Sequence, residues 1–148
     1  NAFIKAHAVH QLTGLPAIAD DTGLEVDALD GAPGVYSARY AGRSPTFKEN
    51  CDKLLFELKK CTDQNRDARF RTVIAFVDNE MELQSEGVVK GVIVKKPRGI
   101  DGFGYDPIFK PNSYDSTFAE MEMEEKNRIS HRAKALIKMK EILVPYLK

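Results

Sequence analysis

Two cysteines, Cys51 and Cys61, are too few and too irregularly placed in 148 residues for a disulfide scaffold or a zinc knuckle. Both read as free thiols in a reducing compartment, which predicts a cytoplasmic protein, with Cys51 the more buried of the two. Excess charge is missing as well. The 22 basic and 22 acidic residues cancel, which implies no nonspecific grip on nucleic acid, although clustered positive charge can still hold a small anion. No h-region opens the chain and no apolar run of about 18 residues occurs in it, so neither secretion nor membrane spanning is expected. Repeats and low-complexity tracts are absent too. What is present is length enough for one domain over residues 1–148, which buries about 68% of the surface of its unfolded chain.

The most unusual stretch runs from Gly14 to Tyr40, GLPAIADDTGLEVDALDGAPGVYSARY. Pro16 to Ala19 reads as a short apolar strand ending in two adjacent carboxylates, Asp20 and Asp21, with the turn formers Thr22 and Gly23 behind them. Two like charges a few Å apart raise one another's pKa unless a cation sits between them, and a divalent metal is the simplest remedy. A tight turn capped by the same carboxylates is the structural alternative. Gly31, Pro33, Gly34, Tyr36, Ser37 and Arg39 follow at a spacing that no ordinary helix or hairpin explains.

Elsewhere the periodicity predicts a helix from Asn1 to Leu12 with the apolar stripe Phe3, Ile4, Ala6, Ala8, Val9 and Leu12. His7 and His10, three residues apart, read as solvated rather than as a metal pair. Leu24 to Leu29 alternates as a strand with one wet face, and Val35 to Gly42 reads as an irregular loop. A helix is expected over Lys48 to Lys60, with Thr46 or Asn50 as its cap. Phe70 to Val77 is the clearest strand, and Met81 to Lys95 supplies its antiparallel continuation, with a bulge or bend at Gly87 and Gly91. Asp106 to Pro111 allows a short edge strand, and Ser116 to Glu120 a turn of helix before the polar run Glu122 to Asn127. Ser130 caps a last helix, His131 to Val144, with the stripe Ala133, Leu136, Ile137, Met139 or Lys140, and Leu143; Pro145 stops it.

Three polar groups carry candidate chemistry. Asp20, Asp21 and Thr22 form the first. The second is Pro97 to Pro107, where three glycines let backbone approach a flat ligand, Phe103 and Tyr105 offer rings, and Asp106 can accept from a base; rings that plug the core are the bland reading. In the third, Glu124 to Arg132, His131 and Arg132 lie in the first turn of the last helix, where basic groups sit poorly against the macrodipole unless an anion is present. Phosphate there would meet free N–H donors together with Lys126 and Arg132.

The runs ADDTGLEVDALDGAPGVYSARYAG, GFGYDPIF and EEKNRISHRAKAL, in this order, resemble the non-canonical purine nucleoside triphosphate pyrophosphatases, the inosine/xanthosine triphosphate pyrophosphatase family often called Ham1-like. The resemblance implies an α/β domain with a curved mixed β-sheet flanked by helices. It also implies Mg²⁺-dependent hydrolysis of ITP, dITP and XTP to the monophosphate and pyrophosphate, and a homodimer. By motif, Asp21 is the catalytic and metal-binding carboxylate with Asp20 beside it, and Thr22 touches substrate. Phe103, Gly104, Tyr105 and Asp106 recognise the base, and Lys126, His131 and Arg132 hold the nucleotide from the other side. The family's first strand and its glycine/asparagine/lysine loop have no counterpart before Asn1, so the expectation is an N-terminally truncated member. A nucleotide-binding remnant without hydrolysis, and a pyrophosphohydrolase for other modified nucleotides, are the alternatives.

Overall fold

The computed structural model describes residues 2–147, so Asn1, expected to open the first helix, lies outside it. Helix α1 (Ala2–Thr13) leads into strand β1 (Ala17–Val26) and two 3-10 turns, Asp27–Leu29 and Gly34–Arg39. Helix α2 (Phe47–Lys60) precedes the long strands β2 (Asp67–Val77) and β3 (Glu82–Ile93). A 3-10 turn (Asp106–Ile108), the short β4 (Phe109–Pro111), and helices α3 (Met123–Ile129) and α4 (His131–Leu143) follow. The strands form one sheet in the order β1-β2-β3-β4, and the fold is α/β, a sheet flanked by helices. Residues group into two compact units interleaved in sequence: one comprises the chain up to Thr22, Arg71–Val88 and the chain from Ile129; the other comprises Gly23–Phe70 and Val89–Arg128.

In the first unit, β2 is buried on both faces because successive residues point to opposite sides of a strand. Ala75 and Val77, with Val73, meet Ala2, Phe3 and Ala6 of α1. Ile74 and Phe76 meet Ala135 and Met139 of α4, with Leu143 at the margin. Small side chains decide which helix face is used. On α1 the buried residues are Ala2 and Ala6 while Ile4, Val9 and Leu12 are exposed, which corrects the stripe read from the sequence. On α4 the inward line is His131, Ala135 and Met139, and the expected Leu136 and Ile137 face solvent.

The two glycines of β3 also differ from expectation. Burial alternates without interruption through Ser85, Gly87, Val89, Gly91 and Ile93, so the strand carries no bulge there. Gly87 is instead a point of close approach: a Cβ would collide with the His131 carbonyl oxygen and lie 2.5 Å from the Ala135 nitrogen. Ser85 fastens the same contact by donating its hydroxyl to the Ala135 carbonyl at 2.8 Å.

In the second unit, α2 begins with a reciprocal capping box. Thr46 Oγ1 accepts the Glu49 N–H at 3.1 Å and Glu49 Oε2 accepts the Thr46 N–H at 2.7 Å. The helix buries Asn50, Cys51, Leu54 and Leu58. Gly91 faces Pro111, and Ile93 faces Phe109, in the antiparallel β3–β4 pairing. Phe109 packs edge-on to Phe70 (4.6 Å between ring centroids) and against Phe118 (5.3 Å). Ser116 to Glu120 forms a turn and no helix; the helix lies further on, at α3, which takes in most of the polar run.

Candidate active site

The acidic pair lies inside a strand. β1 runs unbroken through Asp20, Asp21, Thr22 and Gly23, which corrects both the expected turn and the split into two strands. Each charge has its own cation. Asp21 Oδ1 accepts from Lys5 Nζ at 2.9 Å, and the same ammonium reaches the Asp20 carbonyl at 3.0 Å. Asp20 Oδ2 pairs with Arg132, at 3.0 Å from Nη2 and 3.2 Å from Nε. Lys5 projects from α1 and Arg132 from the first turn of α4, the helices that β2 holds on its two faces. Both carboxylates stay partly open to solvent, Asp20 at 44% and Asp21 at 38%. The Thr22 hydroxyl is bonded to that of the buried Thr72 at 2.8 Å. Gly23 is required by packing, since a Cβ there would lie 2.7 Å from the Gly34 carbonyl oxygen.

Arg132 was expected on phosphate; it pairs with Asp20, so an anion at this position competes with a carboxylate for it. His131 is buried at the start of α4, where Ser130 caps the helix by accepting the Ala133 N–H at 3.1 Å. Lys5 was missed by sequence reasoning, because a lone lysine on a helix carries no local signal. The histidines of α1 take separate partners: His7 meets Glu82 at 2.6 Å and His10 the Leu15 carbonyl at 2.6 Å.

In the second unit the loop Pro97 to Asp106 is organised around one buried carboxylate. Asp106 accepts the Phe103 N–H at 3.0 Å and pairs with Lys126 at 2.5 Å, the two side chains being only 4% and 15% exposed. Gly102, at φ +81°, has no room for a Cβ because Asp106 occupies it. Lys126 Nζ sits 4.7 Å from the centre of the Phe103 ring and 5.7 Å from that of Phe118. Asp106, expected to accept from a base, thus orders the loop from within, and Lys126, expected to hold the nucleotide from the other side, packs on this same loop. Tyr105 follows the reading of a ring that plugs the core. It is buried, its hydroxyl donates to the Ser37 carbonyl at 2.6 Å, and burial raises its pKa, so its face is not offered for stacking. Phe103 is 46% exposed, with the Phe47 ring 6.5 Å away between centroids. Cys51 donates to the Gly104 carbonyl at 3.4 Å, and burial, with smaller contributions from Asp52 and Asp106, pushes its thiol up to about 12.

Residues 1–142 match the Ham1 family. This chain belongs to that family. A dITP/XTP pyrophosphatase of Desulfotalea psychrophila is 53% identical over 141 residues, covering 95% of this chain and 62% of the relative. The chain thus spans less than two thirds of that protein. A dITP/XTP pyrophosphatase of Thermoanaerobacter pseudethanolicus is 48% identical over 147 residues, 99% of this chain and 74% of the relative. A solved HAM1 protein of Coxiella burnetii superposes with a TM-score of 0.93 at 46% identity, over 97% of this chain and 75% of that one. Among the described residues of this Ham1 chain no helix is long and apolar enough to cross a membrane, and no three His, Cys, Asp or Glu side chains converge as a metal cage.

Proposed function

We propose that the chain hydrolyses the α–β phosphoanhydride of ITP, dITP and XTP, releasing the nucleoside monophosphate and pyrophosphate. The observation that carries this is the Asp20–Asp21 pair on β1, each carboxylate held by a solvent-accessible cation rather than locked in the core. The Ham1 relatives' own activity on dITP and XTP supports the choice of substrate.

Two hard carboxylate oxygens fit Mg²⁺, which is commonly held by one or two protein carboxylates with water and substrate phosphate completing its shell. Asp21, supported by Asp20, would hold the ion, which when bound polarises phosphoryl oxygens. Asp21 also orients the attacking water. Lys5 and Arg132, released from their carboxylates, turn toward the developing negative charge on phosphate. Thr22, pinned by Thr72, fixes the backbone beside Asp21. Base selection falls to the aromatic loop. The backbone N–H groups of Gly104 and Tyr105 donate to an oxygen at C6, whereas adenine presents a clashing donor there, and the Phe103 ring supplies stacking surface.

ITP and ATP are supplied separately with Mg²⁺ and pyrophosphate release is measured. ITP is expected to be consumed much faster, and equal turnover of the two removes the discrimination. The same reading takes the active assembly to be a cytoplasmic homodimer; a monomer in sedimentation velocity at all concentrations overturns that part.

A further inference from the structure

The run Gly31 to Tyr40 has no part in the chemistry above, yet buried hydrogen bonds tie it to the aromatic loop. Ser37 is the junction. Its hydroxyl accepts the Leu24 N–H at 2.9 Å and donates to the Gly34 carbonyl at 2.6 Å. Its own carbonyl accepts from the Tyr105 hydroxyl at 2.6 Å and from the Asn50 amide at 3.4 Å. Asn50 secures the run further, donating to the Ala38 carbonyl at 3.2 Å and accepting the Ala41 N–H at 2.8 Å. The next residue on α2, Cys51, reaches the Gly104 carbonyl. The loop needs such outside support. Gly99, Gly102 and Gly104 all have positive φ, at 92°, 81° and 59°, and no strand ladder spans them.

We infer that Tyr105 and Ser37 are positioning residues for base selection: the hydroxyl-to-carbonyl strut between them holds the backbone of Gly104 and Tyr105 where their N–H groups distinguish an acceptor at C6 from a donor. The inference rests on the function proposed above and adds the residues that make its selectivity sharp. Hydrogen bonds weaken steeply with misalignment, so a loop free to shift by a fraction of an ångström loses discrimination before it loses binding. Removing only the Tyr105 hydroxyl keeps the ring and its packing and cuts the strut. The hydroxyl is a dependable donor because burial keeps it protonated. Ser37→Ala acts at the other end, leaving the Leu24 N–H without its partner.

The test compares the parent, Tyr105→Phe, Ser37→Ala and the exposed control Tyr146→Phe with ITP and with ATP. For Tyr105→Phe the KM for ITP should rise on the order of fivefold, the worth of one neutral hydrogen bond, with kcat little changed. The ITP to ATP ratio of kcat/KM should fall by the same factor, with Ser37→Ala moving in the same direction and Tyr146→Phe unchanged. Equal losses on both nucleotides, or an unchanged ratio, overturn the positioning role. Hydrogen exchange on the ligand-free proteins gives a readout independent of turnover. Amides of residues 102–105 should exchange faster in Tyr105→Phe while those of 109–111 keep the parental rate. Unchanged exchange at 102–105 also overturns the inference. A parent that leaves ITP intact would defeat the proposed function, and the exchange result would then decide the strut by itself.

Discussion

Asp21 and Asp106 both pair with a lysine, but the two pairs differ in exposure. Lys5 and Asp21 stand 54% and 38% open to solvent; Lys126 and Asp106 are 15% and 4% open. Exposed pairs contribute about 0–1 kcal/mol, because water screens them and two long side chains must be held still. A buried pair need not add net stability, yet breaking it strands a charge where water cannot reach, at a cost of about 3–5 kcal/mol. One site therefore keeps exchangeable charges, suited to ligands that come and go. The other uses its charges as framework, with Asp106 also fastening the Phe103 N–H.

The largest effect should come from Lys126→Met. It isolates the Asp106 carboxylate and should lower the unfolding free energy by about 3–5 kcal/mol, read from a urea transition. Adding Asp106→Asn, which keeps an acceptor for Phe103 but no charge, should restore much of that loss. A single variant as stable as the parent would erase the contrast between the two pairs. Asp21→Asn comes next, with at least roughly a hundredfold lower kcat on ITP and a melting temperature near the parent's. Parental turnover would remove Asp21 from the chemistry, and a collapsed melting curve would show it to be framework like Asp106. The smallest effect belongs to Lys5→Met, whose stability change should stay within about 1 kcal/mol in the same urea assay. A loss of the size seen for Lys126→Met would mean that the exposed pair is not exchangeable after all.

Local signals were legible in the chain. Thr46 and Ser130 announce their helices because a cap and its partner N–H are three residues apart. What failed is what depends on distant partners. Asp20 to Gly23 looks like a turn until Lys5 and Arg132 are in place, 16 residues from Asp21 and 112 from Asp20 respectively. The sequence leaves Tyr105 between a stacking ring and a core plug, because the partner of its hydroxyl, Ser37, is 68 residues away. The helix stripes were misjudged for another reason: a hydropathy pattern favours large apolar residues, whereas close packing on β2 and β3 selects alanines. Ala6 and Ala135 are completely buried while Leu12 and Ile137 are not.

Gly87 sets a mechanical tolerance on chemistry it never touches. It lets the first turn of α4 lie directly on β3, with the His131 carbonyl closer than any side chain would permit, and the next residue along that turn is Arg132, which holds Asp20. A methyl group at position 87 acts as a shim under the helix, lifting its leading end while Met139, two turns further along, stays anchored in the Ile74 and Phe76 cluster. A tilt of that kind is magnified at the tip of a long guanidinium side chain. The reach of the arginine is thus gauged by an absent atom on the neighbouring strand, and a substitution that looks innocuous on the sheet would register first as a misplaced charge at the acidic pair.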